Sequence, residues 1–224
     1  MTPTPSPTMA AKLIFTGLLA LLAGGPALAQ SANLTDWAAA GDVSAVSASA
    51  ATLTTAAVDS GETPLSAPGA LLHHALEPAL GLAAGTLAAD TLEGSGLQHS
   101  FNTPAGGTRV HFDWTLSTVN FDADFADRAW VVVDGGTLLP LDGGTLLPLG
   151  TVAAALVGGS FNITFADAAP HSLVIALLDV GDVLGLSTLV VSNFSVSAVP
   201  EPTHLALLLA GLLGLGAVAR RRGR

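Results

Sequence analysis

The stretch from Arg109 to Leu116 reads Arg-Val-His-Phe-Asp-Trp-Thr-Leu, and it decides the fold class. Its apolar residues, which include Val110, Phe112 and Trp114, alternate with polar ones. Successive side chains on a strand point to opposite faces of the sheet. The segment therefore predicts a strand with one face buried and the other in solvent.

Further strand patterns follow this segment at short intervals. Residues 161–165 alternate in the same way, residues 129–133 and 172–178 are short apolar runs, and residues 187–196 form a long final pattern. Glycine- and proline-rich turns separate them, and no interior segment has a convincing helical pattern. We therefore predict an all-β ectodomain, an antiparallel jelly roll or β-sandwich, over residues 30–198.

The first part of this ectodomain, residues 30–96, is weakly patterned. It is rich in Ala, Ser, Thr and Gly, with short alternating patches at 43–46 and 53–58. Residues 71–76 fit either a helical turn or a short strand, and residues 93–96 (Glu-Gly-Ser-Gly) are interpreted as a loop. This region is predicted to be either a loosely patterned first sheet or partly disordered.

One octapeptide occurs twice in tandem. Asp134–Leu141 and Asp142–Leu149 both read DGGTLLPL. A solenoid needs about three or more stacked repeats, so two copies are too few. The repeat is better interpreted as a duplication that lengthened a loop or hairpin, because Asp-Gly-Gly favours a tight turn.

The N-terminus has the layout of a secretory signal peptide. Lys12 precedes an apolar run over residues 13–22, and Ala27-Leu28-Ala29 supplies the small residues that a signal peptidase requires. We predict that residues 1–29 are removed by cleavage after Ala29.

The C-terminus carries a second apolar run. Residues 205–219 are 15 uncharged positions, followed by Arg220, Arg221 and Arg222. As a helix this run spans roughly 22 Å, against a bilayer core of about 30 Å. We predict a single transmembrane helix over 205–219 with the arginines on the cytoplasmic side and the ectodomain outside. A buried core helix is the alternative, and the absence of a polar stripe disfavours it.

The C-terminal layout resembles the PEP-CTERM sorting signal of Gram-negative bacteria. Pro200-Glu201-Pro202, the apolar run and the arginine cluster together carry this resemblance over residues 199–224. It implies that an exosortase, a membrane enzyme, recognises these three residues. It also implies an inner-membrane intermediate, then the cell surface or extracellular matrix, and a biofilm role with exopolysaccharide. The ectodomain is similar to those of this family in scattered stretches, such as Trp37-Ala-Ala-Ala-Gly-Asp42.

Composition excludes several classes of function. Residues 30–198 hold 16 acidic residues and two basic ones, a net charge of −14. This acidic balance argues against nucleic acid as a partner, because binding it depends on neutralising phosphates. The chain has no cysteine, so disulfides and thiolate metal sites are excluded. It has no tyrosine and three tryptophans, so few aromatic platforms exist for stacking on sugars.

The densest acidic group is a candidate calcium site. Asp122, Asp124 and Asp127 lie within six residues, and carboxylate oxygens are the ligands that Ca²⁺ prefers. A solvated acidic loop is the alternative, and Asp179 with Asp182 form a second, weaker candidate. No other cofactor is predicted.

No catalytic set is evident. The histidines at 73, 74, 99, 111 and 171 are dispersed, without a zinc-site spacing, and are predicted to be single surface residues. The motif G-x-S-x-G is absent, and no pair of carboxylates is singled out. We therefore predict no catalytic residues and no enzyme.

Three functional hypotheses remain, in order of preference. The first is an exported, non-enzymatic surface protein that is sorted by an exosortase. The second is a calcium-assisted carbohydrate-binding module for exopolysaccharide. The third is a secreted hydrolase.

Overall fold

A computed structural model describes residues 33–87, 89–104, 106–119, 125–135, 137–140, 155–181, 185–199 and 202–222. Within these ranges the chain forms eleven strands, a 3-10 helix at Leu34–Asp36 and two α-helices, α1 (His73–Ala79) and α2 (Pro202–Arg222). The strands are β1 (Ala38–Ala40), β2 (Asp42–Ser44), β3 (Ala51–Thr54), β4 (Leu71–Leu72), β5 (Thr91–Asn102), β6 (Thr108–Thr118), β7 (Arg128–Val133), β8 (Thr137–Pro140), β9 (Ala155–Phe165), β10 (Pro170–Val180) and β11 (Ser187–Ala198).

The strands make two antiparallel sheets. Sheet A has the order β1-β5-β10-β7-β8, with β4 also paired to β5, and sheet B has the order β2-β3-β11-β6-β9. From β5 to β11 the chain changes sheet at every connection except the one between β7 and β8. The predicted antiparallel β-sandwich is confirmed at this level, and α1 is an interior helix in addition to it.

The main core lies between the sheets. The inward face of β6 contributes Val110, Phe112, Trp114 and Leu116, as the alternation in the sequence predicted. They belong to the same buried cluster as residues of sheet A such as Ile175, which is fully buried. Burying one such side chain contributes about 1.5–3 kcal/mol, so this layer is the main source of stability.

Helix α1 goes beyond the sequence prediction, which found no convincing interior helix and left a helical turn or a short strand open at residues 71–76. Leu76 of α1 and Leu80, its C-cap, pack against the outer face of sheet A, in one cluster with Val174 and Leu178 of β10. Strand β10 is therefore buried on both faces, as its apolar run predicted. The helix escaped prediction because it has only seven residues, contains Pro78 and has no side-chain cap.

The segment Glu-Gly-Ser-Gly at 93–96 is a correction to the sequence prediction, because it lies inside β5 and not in a loop. A Cβ added at Gly96 would lie 2.7 Å from Leu80 Cδ1, and one at Gly94 would lie 2.4 Å from the Leu177 carbonyl oxygen. The glycines therefore let α1 and β10 approach β5 closely.

Residues 33–87 and 89–96 supply β1 to β4, α1 and the start of β5. They do not form a separate first sheet, because β1 and β4 belong to sheet A and β2 and β3 to sheet B. A buried carboxylate, Asp42, ties this region together. It accepts hydrogen bonds from the Ser66 amide at 2.6 Å and the Leu65 amide at 3.0 Å. Its own amide donates to Ser95 Oγ at 2.7 Å, which connects β2 to β5.

The described residues of the first octapeptide copy form β8 and part of the turn that joins it to β7. Asp134 and Gly135 occupy the turn with positive φ, and β8 pairs with β7 at the edge of sheet A. The second copy lies outside the described residues. Residues 1–29 also lie outside them, including Ala27 and Ala29, so the signal peptide stays a prediction.

Helix α2 covers the predicted C-terminal apolar run. Its described large apolar side chains are exposed, for example Leu209 at 60% and Leu213 at 74%, so they belong to neither core. The alternative of a buried core helix is therefore wrong for these residues. Within the described ranges, no helix combines the length and apolarity that crossing a membrane requires.

Candidate functional site

The outer face of sheet B is open and polar. Because the apolar residues of β6 point inward, Arg109, His111 and Asp113 point outward. The neighbouring strands β9 and β11 add hydroxyl and amide side chains, and together they line a shallow groove of about 460 Å³. The lining residues are Arg109, His111, Ser160, Asn162, Ser195 and Ser197. This volume falls within the rough range of 300–1,000 Å³ for small-molecule sites.

Asn162 organises the floor of the groove. Its Oδ1 accepts hydrogen bonds from Arg109 Nη2 at 2.9 Å and from His111 Nδ1 at 3.0 Å. The cross-strand register places Asn162 directly opposite His111. Since Oδ1 serves both neighbours, the Asn162 Nδ2 group has no acceptor among the described residues and is available to a ligand.

Asp113 borders the groove without lining it. Ser160 Oγ donates to its Oδ1 at 2.5 Å, and Asn193 Nδ2 donates to its Oδ2 at 2.7 Å. The hydrogen bonds from Asn193 and Ser160 hold the pKa of Asp113 below its ordinary value. His111 Nε2 lies 3.7 Å from Asp113 Oδ1, which is beyond hydrogen-bond distance.

A β-bulge in β11 places Asn193 in this network. The register with β6 shifts between Ser192 and Ser195, and Asn193 has φ of 51°, a conformation that asparagine tolerates better than most residues. The shift leaves Phe194 buried and puts Ser195 opposite His111. The bulge thus aims two polar side chains at the open face without removing an aromatic ring from the core.

His171 contradicts the prediction of single surface histidines. Its Nδ1 lies 2.9 Å from Asp134 Oδ2 and its Nε2 lies 3.0 Å from Asp167 Oδ1, with the side chain only 9% exposed. Burial acts to lower the pKa of His171, but the two carboxylates outweigh it and raise the pKa. This ion triad joins the β7–β8 turn to the β9–β10 turn and is a structural feature.

Glu93 and Asp179 are cross-strand neighbours that are both 2% exposed. Burial raises the pKa of Glu93, against a hydrogen bond from Ser60, and the nearby Glu62 and Asp59 raise it further. Neither carboxylate opens onto the groove.

The predicted calcium site is divided by the limits of the described residues. Asp122 and Asp124 lie outside them, as does Asp182. Asp127 is described, and its Oδ1 accepts a hydrogen bond from the Val180 amide at 3.2 Å. Among the described residues, no group of three or more acidic or histidine side chains is placed to hold a metal ion.

The three predicted sorting residues lie at the first residue of α2 and in the two positions before it in the chain. Pro200 and Glu201 lie outside the described residues, and Pro202 begins the helix. Proline suits this position because the first helical residues need no amide donor. Arg220 and Arg221 are exposed in the last turn, and Arg222 ends the helix.

Comparisons with known proteins give no family. No family model and no curated protein matches the chain. Among solved structures, TmCBM61 bound to β-1,4-galactotriose is similar at 12% identity and a TM-score of 0.27, with 75% of this chain and 92% of that chain covered. A family 35 carbohydrate-binding module from Clostridium thermocellum matches at 14% identity and a TM-score of 0.22, over 47% of this chain and 74% of the other. Likenesses this low carry no argument about ligands.

Sequence reasoning placed Arg109, His111 and Asp113 on one outward face but did not find the groove. It missed Asn162, Ser160 and Asn193, because their proximity to β6 depends on strand order and register. The signal that was available is the outward position of Asn162 in the alternating segment 161–165.

Proposed function

We propose that this protein is a non-enzymatic β-sandwich of the jelly-roll type that binds carbohydrate in the groove on sheet B. The observation that carries the proposal is the convergence of amide, hydroxyl, imidazole and guanidinium groups from three strands on one open sheet face. Sugar hydroxyls both donate and accept hydrogen bonds, so a surface that presents several fixed polar groups suits them.

The same face argues against hydrolysis of the sugar. Glycoside hydrolysis ordinarily uses two carboxyl groups on opposite sides of the scissile bond. Among the described residues, Asp113 is the one carboxylate that touches the groove residues, and both its oxygens accept hydrogen bonds from the protein. A carboxylate held in this way positions its neighbours and is poorly placed to act as an acid.

The test is a binding screen of the full-length protein against immobilised bacterial and plant polysaccharides. Asn162→Ala should abolish binding to every polysaccharide that the screen identifies. It removes the Oδ1 atom that Arg109 and His111 share and the Nδ2 group that is available to a ligand. Gln98→Ala is the matched control, since it truncates a polar residue on the other sheet. Binding that survives Asn162→Ala, or no binding to any glycan, refutes the proposal.

We also propose that the protein is exported and sorted through its C-terminal segment. Supporting this are the exposed leucines of α2 and the exposed arginines in its last turn. In this proposal, signal peptidase cuts after Ala29, the bilayer holds residues 205–219 transiently, and an exosortase then recognises Pro200-Glu201-Pro202 and cuts near it. Fractionation with mass spectrometry should find a mature chain that begins at Gln30 and ends near Pro202. An uncut chain in the cytosol refutes it.

Calcium at Asp122, Asp124 and Asp127 stays part of the carbohydrate proposal as an optional cofactor. A ligand that binds only the folded state raises stability as its concentration rises above its Kd. Millimolar calcium should therefore raise the melting temperature of the full-length protein, and Asp124→Asn should remove the increase. No change in melting temperature refutes the calcium site.

A further inference from the structure

Arg109 is a cation without an anionic partner among the described residues. The chain carries 17 acidic and 7 basic residues, so an unpaired guanidinium is conspicuous. In contrast, Arg128 on sheet A is paired: its Nη1 lies 3.1 Å from Asp90 Oδ2. Of the five N–H donors of Arg109, the hydrogen bond to Asn162 uses one, so most remain for a ligand.

The groove that contains Arg109 has no carboxylate among its described lining residues. The nearest one, Asp113, is held at the border by Ser160 and Asn193, which occupy its two oxygens. The lining therefore combines a permanent positive charge with neutral donors inside a strongly acidic protein. An acidic body repels anions in general. Within the described part of the sandwich Arg128 is paired with Asp90, so Arg109 is the arginine left there to meet an anionic group.

The described lining also contains no phenylalanine or tryptophan ring. A neutral sugar would have to be held mainly by hydrogen bonds, each worth about 0.5–1.5 kcal/mol after the loss of water. A charge-assisted, bidentate contact between arginine and a carboxylate is roughly twice as strong as a neutral hydrogen bond. Without such a ring to stack on, a charged group on the ligand is the largest available source of affinity.

We propose that the groove selects a carboxylate-bearing sugar, a uronate unit of an acidic polysaccharide, and binds its carboxylate on Arg109. This inference rests on the proposed carbohydrate-binding function. The Asn162 amide and the hydroxyls of Ser195 and Ser197 then serve the ring hydroxyls. Lysine keeps the positive charge but lacks the planar fork of donors, so Arg109→Lys should retain only part of the affinity for the uronate.

The test uses calorimetry of the full-length protein with uronate trimers (galacturonate, glucuronate and mannuronate) and their methyl esters. The ester keeps the sugar and removes the charge, and we expect the best acid trimer to bind at least about tenfold more tightly than its ester, equivalent to about 1.4 kcal/mol. Arg109→Gln should make acid and ester equal. Arg128→Gln, which removes the same charge from the other sheet, should keep the difference.

The outcomes separate this inference from the function on which it rests. Acid and ester of equal affinity, both lost in Asn162→Ala, would keep carbohydrate binding and overturn uronate selection. No binding of any uronate or neutral glycan would overturn both. Free galacturonate binding as tightly as the trimer, or dextran sulfate competing equally with it, would assign the groove to small carboxylic acids or to anions in general and overturn the proposal. Melting curves of each variant check that the fold is intact.

Discussion

The outer faces of the two sheets differ in kind. Sheet A is covered by α1, whose Leu76, together with the C-cap residue Leu80, completes a second apolar cluster against β10. Sheet B has no such cover over β6 among the described residues, and its outward side chains form a polar network around Asn162. The main core uses only the inner faces of the sheets, so the two outer faces can differ in composition. The covered face adds stability, and the open face is where we propose that a ligand binds.

Truncation of the apolar contacts under α1 should have the largest effect on stability. Leu80→Ala should lower the free energy of unfolding by about 2–5 kcal/mol, because it leaves a cavity between α1 and sheet A. Urea unfolding followed by circular dichroism measures the loss. Leu213→Ala in α2 is the matched control, since Leu213 is 74% exposed and should cost little. Equal effects of the two substitutions would mean that α1 is not a stabilising cover.

The glycines of β5 provide a second test of the covered face. Gly94→Ala should cost about 1–3 kcal/mol, because the new Cβ would meet the Leu177 carbonyl at 2.4 Å and the backbone must move. The same substitution at Gly211 in α2 is the control, as no atom lies within 4 Å of the added carbon. Thermal melts should show a large decrease for the first variant and none for the second. An unchanged melting temperature for Gly94→Ala would contradict the close approach of β5 and β10.

These two regions also mark where sequence reasoning succeeded and failed. The alternation from Arg109 to Leu116 determined which side chains of β6 are buried, because a strand has a strict two-residue period. The segment 93–96 was misinterpreted because glycine is ambiguous in a sequence. It occurs in loops and also at places where another element comes close, and the helix responsible was itself too short to recognise.

The groove was beyond prediction for a different reason. Asp113 meets Asn193 across 80 positions, and Asn162 meets His111 across 51. No local pattern contains these pairings, which require both the strand order of sheet B and the irregularity in β11. A bulge reverses the face that each later residue presents, so a strict alternation rule would misplace part of that strand.

The acid dependence of stability should separate the faces further. Glu77 belongs to α1, the helix that covers sheet A, and is 3% exposed. It accepts hydrogen bonds from the Leu87 amide at 2.8 Å and the Gly85 amide at 2.9 Å. Burial acts to raise its pKa, but these bonds and His73 outweigh it and lower the pKa below the ordinary 4.5. A carboxyl group whose pKa is lower in the folded state stabilises the fold at any pH above its unfolded-state pKa. This stabilisation is lost as the pH falls through its folded-state pKa.

Glu77→Gln should therefore lower the free energy of unfolding by about 1–3 kcal/mol at neutral pH. The reason is that the new side-chain NH2 group would face one of the two backbone N–H donors. This cost should shrink below pH 4.5. Asp113→Asn is the control from the open face. Its pKa is also lowered, but water screens this exposed carboxylate, so the acid limb of the stability curve should hardly change. Denaturant titrations between neutral and acid pH measure both. A larger acid effect at Asp113 would reverse the roles assigned to the two faces.

The smallest expected effect is the most informative about function. Asn162→Ala should change the free energy of unfolding by no more than about 0.5 kcal/mol, because Arg109 and His111 lie at the surface and water replaces their lost acceptor. Ile163→Ala, the next residue on the same strand, should cost clearly more, since that side chain packs against the main core. Both losses can be read from urea unfolding curves. If Asn162→Ala were as costly as Ile163→Ala, the polar network would be part of what holds sheet B together, and its arrangement would no longer indicate a binding surface. A neutral result would mean that the fold does not need this network, as the proposed binding role requires.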